Sequence, residues 1–182
     1  MNQNELVEKV LFTQQQIAQK VEQLGEQISR DYAGKDLMLV CVLKGAVVFA
    51  ADLMRAISLP VSLNFMCVSS YGTATTSSGN VQITKDLDLP VEGKNVIIAE
   101  DVVDSGNTLS YLVKYLKSKN AASVDICTIF DKPSRRKVSV DVKYAGFEIP
   151  DEFVIGYGLD YAEKFRNLPY LGVLKREVYE QK

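Results

Sequence analysis

The chain has 182 residues, 47% hydrophobic and 24% charged, the composition of a soluble globular domain able to bury a substantial core. Its 21 basic and 23 acidic residues give a net charge of −2, so no overall basic excess favours nucleic acid. Histidine is absent, which excludes histidine-based triads, imidazole zinc sites and an imidazole general base and leaves acid–base work to Asp, Glu, Lys or Tyr.

Residues 1–20 are polar and carry Glu5 and Glu8, unlike a signal or transit peptide. Ile17, Val21, Leu24 and Ile28 recur at helical spacing, predicting an amphipathic helix over 14–31 with Gly34 as its stop. Residues 37–43 form an unbroken apolar strand followed by Lys44-Gly45; the apolar stretch 37–51 is too short and too interrupted to span a membrane. A helix is expected over 47–57 and a strand over 61–69. The small, polar run 69–80 reads as a lid loop or β-arm, with a short return strand at 81–84. A strand at 95–100, a helix at 108–119 and a strand at 123–130 make a βαβ unit. Arg135-Arg136-Lys137 has the look of solvated surface. Short β-like runs follow at 142–147, 153–156 and 171–174. Cys41, Cys67 and Cys127 each lie in an apolar run, which predicts reduced thiols and a cytoplasmic protein. No repeat or interdomain linker is visible. The expected fold is α/β: one domain over 1–182, with a mostly parallel central sheet flanked by helices on both faces.

Residues 96–108 carry the most chemistry. Val96, Ile97, Ile98 and Ala99 suit a strand buried on both faces, and Glu100 and Asp101 then end it. Asp104-Ser105-Gly106-Asn107-Thr108 follows, just before the amphipathic segment Leu109, Leu112, Val113 and Leu116. In open α/β sheets ligands bind at the carboxyl ends of strands. Backbone N–H groups at a helix N-terminus suit a phosphate, and the two acids suit a cation or hydroxyls. A plain strand-to-helix turn capped by Asp104 is the alternative. Adjacent acids ending a buried strand count against it, since they are costly without a ligand or counter-ion. There is no P-loop, and Gly156-Tyr157-Gly158 lacks the third glycine of a dinucleotide fingerprint.

The stretch Val-Ile-Ile-Ala-Glu-Asp-Val-Val-Asp-Ser-Gly-Asn-Thr-Leu resembles the phosphoribosyl pyrophosphate signature of the type I phosphoribosyltransferases. More narrowly, the chain is similar to the bacterial hypoxanthine-guanine branch of that family. That likeness runs through Leu43-Lys44-Gly45, Ser70-Tyr71, Asp131-Lys132-Pro133 and the stretch from Gly146 to Asp160, Gly-Phe-Glu-Ile-Pro-Asp-Glu-Phe-Val-Ile-Gly-Tyr-Gly-Leu-Asp. It implies the family's fold, with a small hood and a flexible lid carrying Ser70 and Tyr71. It implies purine salvage: transfer of 5-phosphoribosyl to N9 of hypoxanthine or guanine, releasing pyrophosphate. Glu100 and Asp101 would face the ribose hydroxyls, partly through magnesium, and Asp160 would help hold that ion. Asp104 would be the acid–base residue near purine N7, and Ser105, Gly106, Asn107 and Thr108 would hold the 5′-phosphate. Lys44, Gly45 and Arg166 would meet pyrophosphate. Lys132 would donate to the purine O6, Phe153 would stack on the base, and the Val154 backbone would read its edge. The Leu43–Lys44 peptide can be cis in the family, which is unusual for a non-proline bond. Ser105 stands where threonine is frequent and Asn107 where some relatives have lysine; both keep a donor.

Physical chemistry supports these roles independently. Breaking the bond to pyrophosphate builds positive charge on the ribose, as in glycoside chemistry, and magnesium and carboxylates favour that change. A closing lid excludes water. Two other functions compete: a phosphoribosyl-pyrophosphate-sensing regulator and a transferase preferring xanthine. The regulator predicts a DNA- or RNA-binding surface, for which there is no appended helix-turn-helix. Small-molecule substrates and a homodimer or homotetramer are expected; nucleic acid and membrane are not.

Overall fold

The computed structural model of the chain describes residues 3–70 and 81–180. A 3-10 turn, Gln3–Leu6, leads into β1, Val7–Phe12. Helix α1, Gln14–Asp31, starts where Thr13 and Gln16 form a reciprocal capping box. It buries Ile17, Val21, Leu24 and Ile28 as their spacing predicts. Gly34, at φ 77°, turns the chain into β2, Leu37–Leu43. Then come α2, Val47–Ala56; β3, Val61–Ser70; and β4, Val81–Lys85. The βαβ unit is β5, Asn95–Val103; α3, Asn107–Ser118; and β6, Ser123–Asp131. β7, Tyr144–Glu148, β8, Val154–Ile155, β9, Leu171–Leu174, and a last helical turn α4, Arg176–Tyr179, complete the described chain.

The central sheet has the order β4-β3-β2-β5-β6-β7. Every neighbouring pair is parallel except β3 with β4. The chain leaves β2 for β3 on one side and later returns to place β5 on the other, so the strand order reverses between β2 and β5, where open α/β sheets form a ligand crevice. Alternation along the strands explains the unbroken apolar run of β2. Leu37, Leu39 and Cys41 join Ile97 and Ala99 under α1 and α2, while Met38, Val40 and Val42 join Val96 and Ile98 under α3. Helices on both faces are as predicted.

The hood is a three-stranded antiparallel sheet, β1-β9-β8, that shares the α1–α2 core through Val154, Leu171 and Val173. β1 escapes sequence reading because Glu8, Lys9 and Val10 are exposed, so no alternation is visible. The run expected at 142–147 begins at Tyr144, and the one at 153–156 contracts to two residues. β5 is longer than expected. It runs three residues past Glu100, so both acids lie inside the strand. Ser70 ends β3, whereas Tyr71 and the rest of the lid segment to residue 80 lie outside the described residues. Among the described residues no helix is long and apolar enough to cross a membrane.

Candidate active site

The tip of β2 and the body of β5 meet at the point where the strand order reverses. The Leu43–Lys44 peptide is cis. Gly45 then packs on Asp101 so closely that a Cβ there would lie 1.7 Å from Asp101 Oδ2. Only glycine leaves room for the acid. Asp101 is 8% exposed, and one of its oxygens accepts the Val102 N–H at 2.8 Å. Glu100 Oε2 is shut off from solvent and has no hydrogen-bond partner. Burial, then the neighbouring Asp101 charge, pushes the Glu100 carboxyl well above the usual range. Asp101 is also raised, chiefly by burial, against the opposing pull of its hydrogen bonds and of Arg166. A buried acceptor needs a donor, and a hydroxyl or a hydrated cation would satisfy it.

Asp104, Ser105 and Gly106 form the turn after β5. Helix α3 opens at Asn107 with Gly106 as its N-cap, at φ 83°; Gly106 has no side chain to cap it, and the Asn107 N–H donates to Ser105 Oγ at 3.4 Å. The alternative in which Asp104 caps the helix is thereby corrected, since its carboxylate faces Arg135 instead. The next N–H groups of the first turn, those of Thr108 and Leu109, point toward an anion. A cavity of about 90 Å³ opens here, lined by Glu100, Asp104, Ser105, Gly106 and Thr108 among others, so Glu100 and the turn share one space. The turn rests on the segment after β6. Lys137 and Val138 donate their N–H groups to Ser105 O at 2.9 and 3.0 Å, and Lys132 N–H donates to Val103 O at 2.9 Å. Arg136 donates to Asp104 O at 2.7 Å and pairs with Asp131. A Cβ on Gly106 would come within 2.5 Å of Val138 O. Arg135 joins the Asp104 carboxylate (2.7 Å) to that of Asp151 (3.1 Å).

The opposite wall is built by Lys132 and the hood. Lys132 Nζ donates to Glu152 O at 2.7 Å. Burial pulls its ammonium below the usual lysine range, against the attraction of Asp104 and Asp151. Phe153 is 38% exposed; its ring stacks on Tyr179 at 4.8 Å and meets the edge of Tyr161 at 5.6 Å. Leu174 N–H donates to Phe153 O, so the Val154–Val173 pair is the non-hydrogen-bonded kind. Because β8 is an edge strand, the N–H and C=O of Val154 face away from the sheet. A planar base with hydrogen-bonding edges fits such a wall.

Asp160 and Arg166 form the third side. Arg166 Nη2 lies 2.8 Å from Asp160 Oδ1, Nη1 donates to Gly158 O at 2.8 Å, and Nε is buried without a partner. Lys44 Nζ lies 3.1 Å from Glu163 Oε2. Asp160 is not gathered with Glu100 and Asp101 into one cluster. Among the described residues no group of three acids, cysteines or histidines could hold a metal alone.

Residues 9–162 match the family described as the phosphoribosyl transferase domain. The curated hypoxanthine-guanine phosphoribosyltransferase of Streptococcus thermophilus is 51% identical over 175 residues, which cover 96% of this chain and 97% of that one. The chain belongs to the hypoxanthine-guanine phosphoribosyltransferase family. Its Bacillus subtilis relative of the same name is 51% identical over 174 residues, with the same shares covered. The crystal structure of a hypoxanthine phosphoribosyltransferase from Staphylococcus aureus matches with a TM-score of 0.95 at 46% identity over 100% of both chains.

Within that family framework, sequence reasoning missed four residues that touch the site: Arg135, Arg136, Glu163 and Tyr179. Reading Arg136 as solvated surface was wrong. Its side chain is 18% exposed because it spans Asp131 and the Asp104 carbonyl. Its partners lie only 5 and 32 residues away, yet nothing in a run of three basic residues marks which one turns inward. For Tyr179 a short aromatic C-terminal segment was the only signal.

Proposed function

We propose that the protein transfers the 5-phosphoribosyl group of 5-phospho-α-D-ribose 1-diphosphate to N9 of hypoxanthine or guanine, giving IMP or GMP and pyrophosphate in purine salvage. One observation carries the reading. The start of α3 and the unpartnered Glu100 Oε2 share a cavity with Asp104, which lies 2.7 Å from Arg135, and Arg135 also binds Asp151, two residues before Phe153. A phosphate-and-polyol site thus adjoins a site for a planar base. The family's relatives support the same reaction.

In this proposal Ser105, Gly106, Asn107 and Thr108 hold the 5′-phosphate with N–H and hydroxyl donors, and Glu100 and Asp101 accept from the ribose hydroxyls. The bond from ribose C1 to pyrophosphate breaks with its electron pair leaving on the pyrophosphate oxygen. N9 supplies the pair for the new C1–N9 bond, and the proton lost from N7 passes to Asp104. Lys132 donates to O6, the outward Val154 backbone pairs with the base edge, and Phe153 stacks on the ring. Lys44, Gly45 and Arg166 line the path of pyrophosphate. Hard oxygen donors and a buried unpartnered carboxylate oxygen fit magnesium, with Glu100, Asp101 and Asp160 as the residues that would hold it. Bound there, it would neutralise the departing pyrophosphate. We further infer a single functional domain over 1–182, a cytoplasmic setting in keeping with three free cysteines, and a homodimer or homotetramer. A lid carrying Ser70 and Tyr71 completes the proposal.

The test is incubation with the donor, magnesium and each of hypoxanthine, guanine, xanthine, adenine and uracil. Nucleotide from hypoxanthine and guanine is expected. Product from xanthine alone would overturn the base assignment, and none from any base would overturn the transferase reading.

A further inference from the structure

The third side of the site holds an anion of the chain's own. Glu163 Oε2 lies 3.1 Å from Lys44 Nζ and 3.5 Å from Arg166 Nη2, so one oxygen touches both cations assigned to pyrophosphate. Lys44 and Arg166 come from distant parts of the chain, one behind β2 and one beyond β8. Their common neighbour is held in place by the backbone. Glu163 has φ 63° and its N–H donates to Asp160 Oδ2 at 2.8 Å, following Ala162 at φ 49°. Two successive non-glycine residues in the left-handed region are kept only where their surroundings hold them.

We propose that Glu163 is a positioning residue that serves as an anionic place-holder for pyrophosphate. It occupies Lys44 and Arg166 while that subsite is empty and yields them to the incoming donor. The inference rests on the proposed assignment of Lys44 and Arg166. Charge makes the exchange necessary. With Asp160 and Glu163 present, the two cations are already balanced, and a pyrophosphate group adds several negative charges against Glu163 at short range. The Glu163 side chain is 65% exposed, so it can leave for water, whereas Arg166 is 24% exposed and stays. Arg166 also keeps an unpartnered buried Nε, a donor that Glu163 does not satisfy and a multivalent oxyanion can. The same carboxylate, returning after transfer, competes with bound pyrophosphate and helps it leave.

Exposed ion pairs contribute little singly, so removing two contacts and one like charge should tighten binding by about three- to tenfold. The experiment is calorimetric titration of the whole protein with magnesium pyrophosphate for the parent, Glu163→Gln, Glu163→Asp and Lys44→Gln, each first checked by thermal melting. Glu163→Gln should bind more tightly and Glu163→Asp, which keeps the charge, should stay near the parent. In steady-state assays Glu163→Gln should lower KM for the donor and leave KM for hypoxanthine unchanged, a split that a loss of packing would not produce. Equal or weaker pyrophosphate binding by Glu163→Gln overturns the place-holder. Unchanged binding by Lys44→Gln overturns the subsite assignment on which it rests.

Discussion

Asp104 is one atom's reach from two jobs. Its carboxylate pairs with Arg135 at 2.7 Å on the surface of the cleft, and its carbonyl is pinned by Arg136. The backbone anchor fixes where the acid stands, and in the proposed reaction its second carboxylate oxygen would take the purine proton. Asp104→Asn should therefore keep substrate affinities within a few-fold while kcat falls by about 10²-fold or more. Near-normal turnover in that variant would remove Asp104 from the acid–base role. Lys132 offers a different readout. Losing its hydrogen bond to O6 should raise KM for hypoxanthine about tenfold in Lys132→Met, a loss of order 1.4 kcal/mol. An unchanged base KM would move O6 recognition elsewhere. Glu100 shows the conflict between binding and stability. Burial and Asp101 raise its carboxyl above the unfolded value, so the native state holds the proton more tightly. Its contribution is then most favourable in acid and falls as pH rises through the folded value. Glu100→Gln should melt higher than the parent at pH 8, by about 2–4 °C for each kcal/mol relieved, with a smaller gain at pH 5, while losing donor affinity. A lower melting temperature at pH 8 would show that the buried charge is compensated within the chain.

The elements that place these residues differ in how plainly the sequence announces them. α1 and β2 are legible in their bounds, because a 3.6-residue apolar period and an unbroken apolar run are strong signals; the capping box at Thr13 and Gln16 emerges only in the structure. β5 was read three residues short. Two acids looked like its end, yet the strand continues with Glu100 opposite Thr128 and Val102 opposite Phe130. Tertiary pairing overrode the local pattern. The donor turn was legible in its glycine and hydroxyls, but its support was not, since Arg136 and Val138 reach it from 30 or more residues away. That support makes a prediction at this scale. Arg136 and Asp131 are 18% and 17% exposed, so Arg136→Met leaves a mostly buried carboxylate unpaired and should destabilise by about 3 kcal/mol. Denaturant unfolding would measure it, and donor KM should rise in parallel as the turn loosens. A variant with parental stability would reduce Arg136 to a surface contact.

At the scale of the molecule, two cores back to back on one sheet leave the strand tips free, and the hood shares the larger core through Val154, Leu171 and Val173. The parallel sheet was readable from the alternation of strands and helices. The hood is expected through the family resemblance and the short runs at 153–156 and 171–174, but its first strand is not, because β1 joins β9 from the opposite end of the chain. This closure brings Lys132, just past β6, to the Glu152 carbonyl next to Phe153, so that in the proposed reaction both would meet one base although neither is distinctive alone. What sets the proposed enzyme apart from a protein that merely binds the donor is transfer to the base. The most direct measurement is to separate the products of a reaction containing hypoxanthine, 5-phospho-α-D-ribose 1-diphosphate and magnesium. IMP and pyrophosphate should accumulate in equal amounts, and both should nearly vanish with Asp104→Asn. A protein that binds the donor tightly but forms neither product would contradict the account.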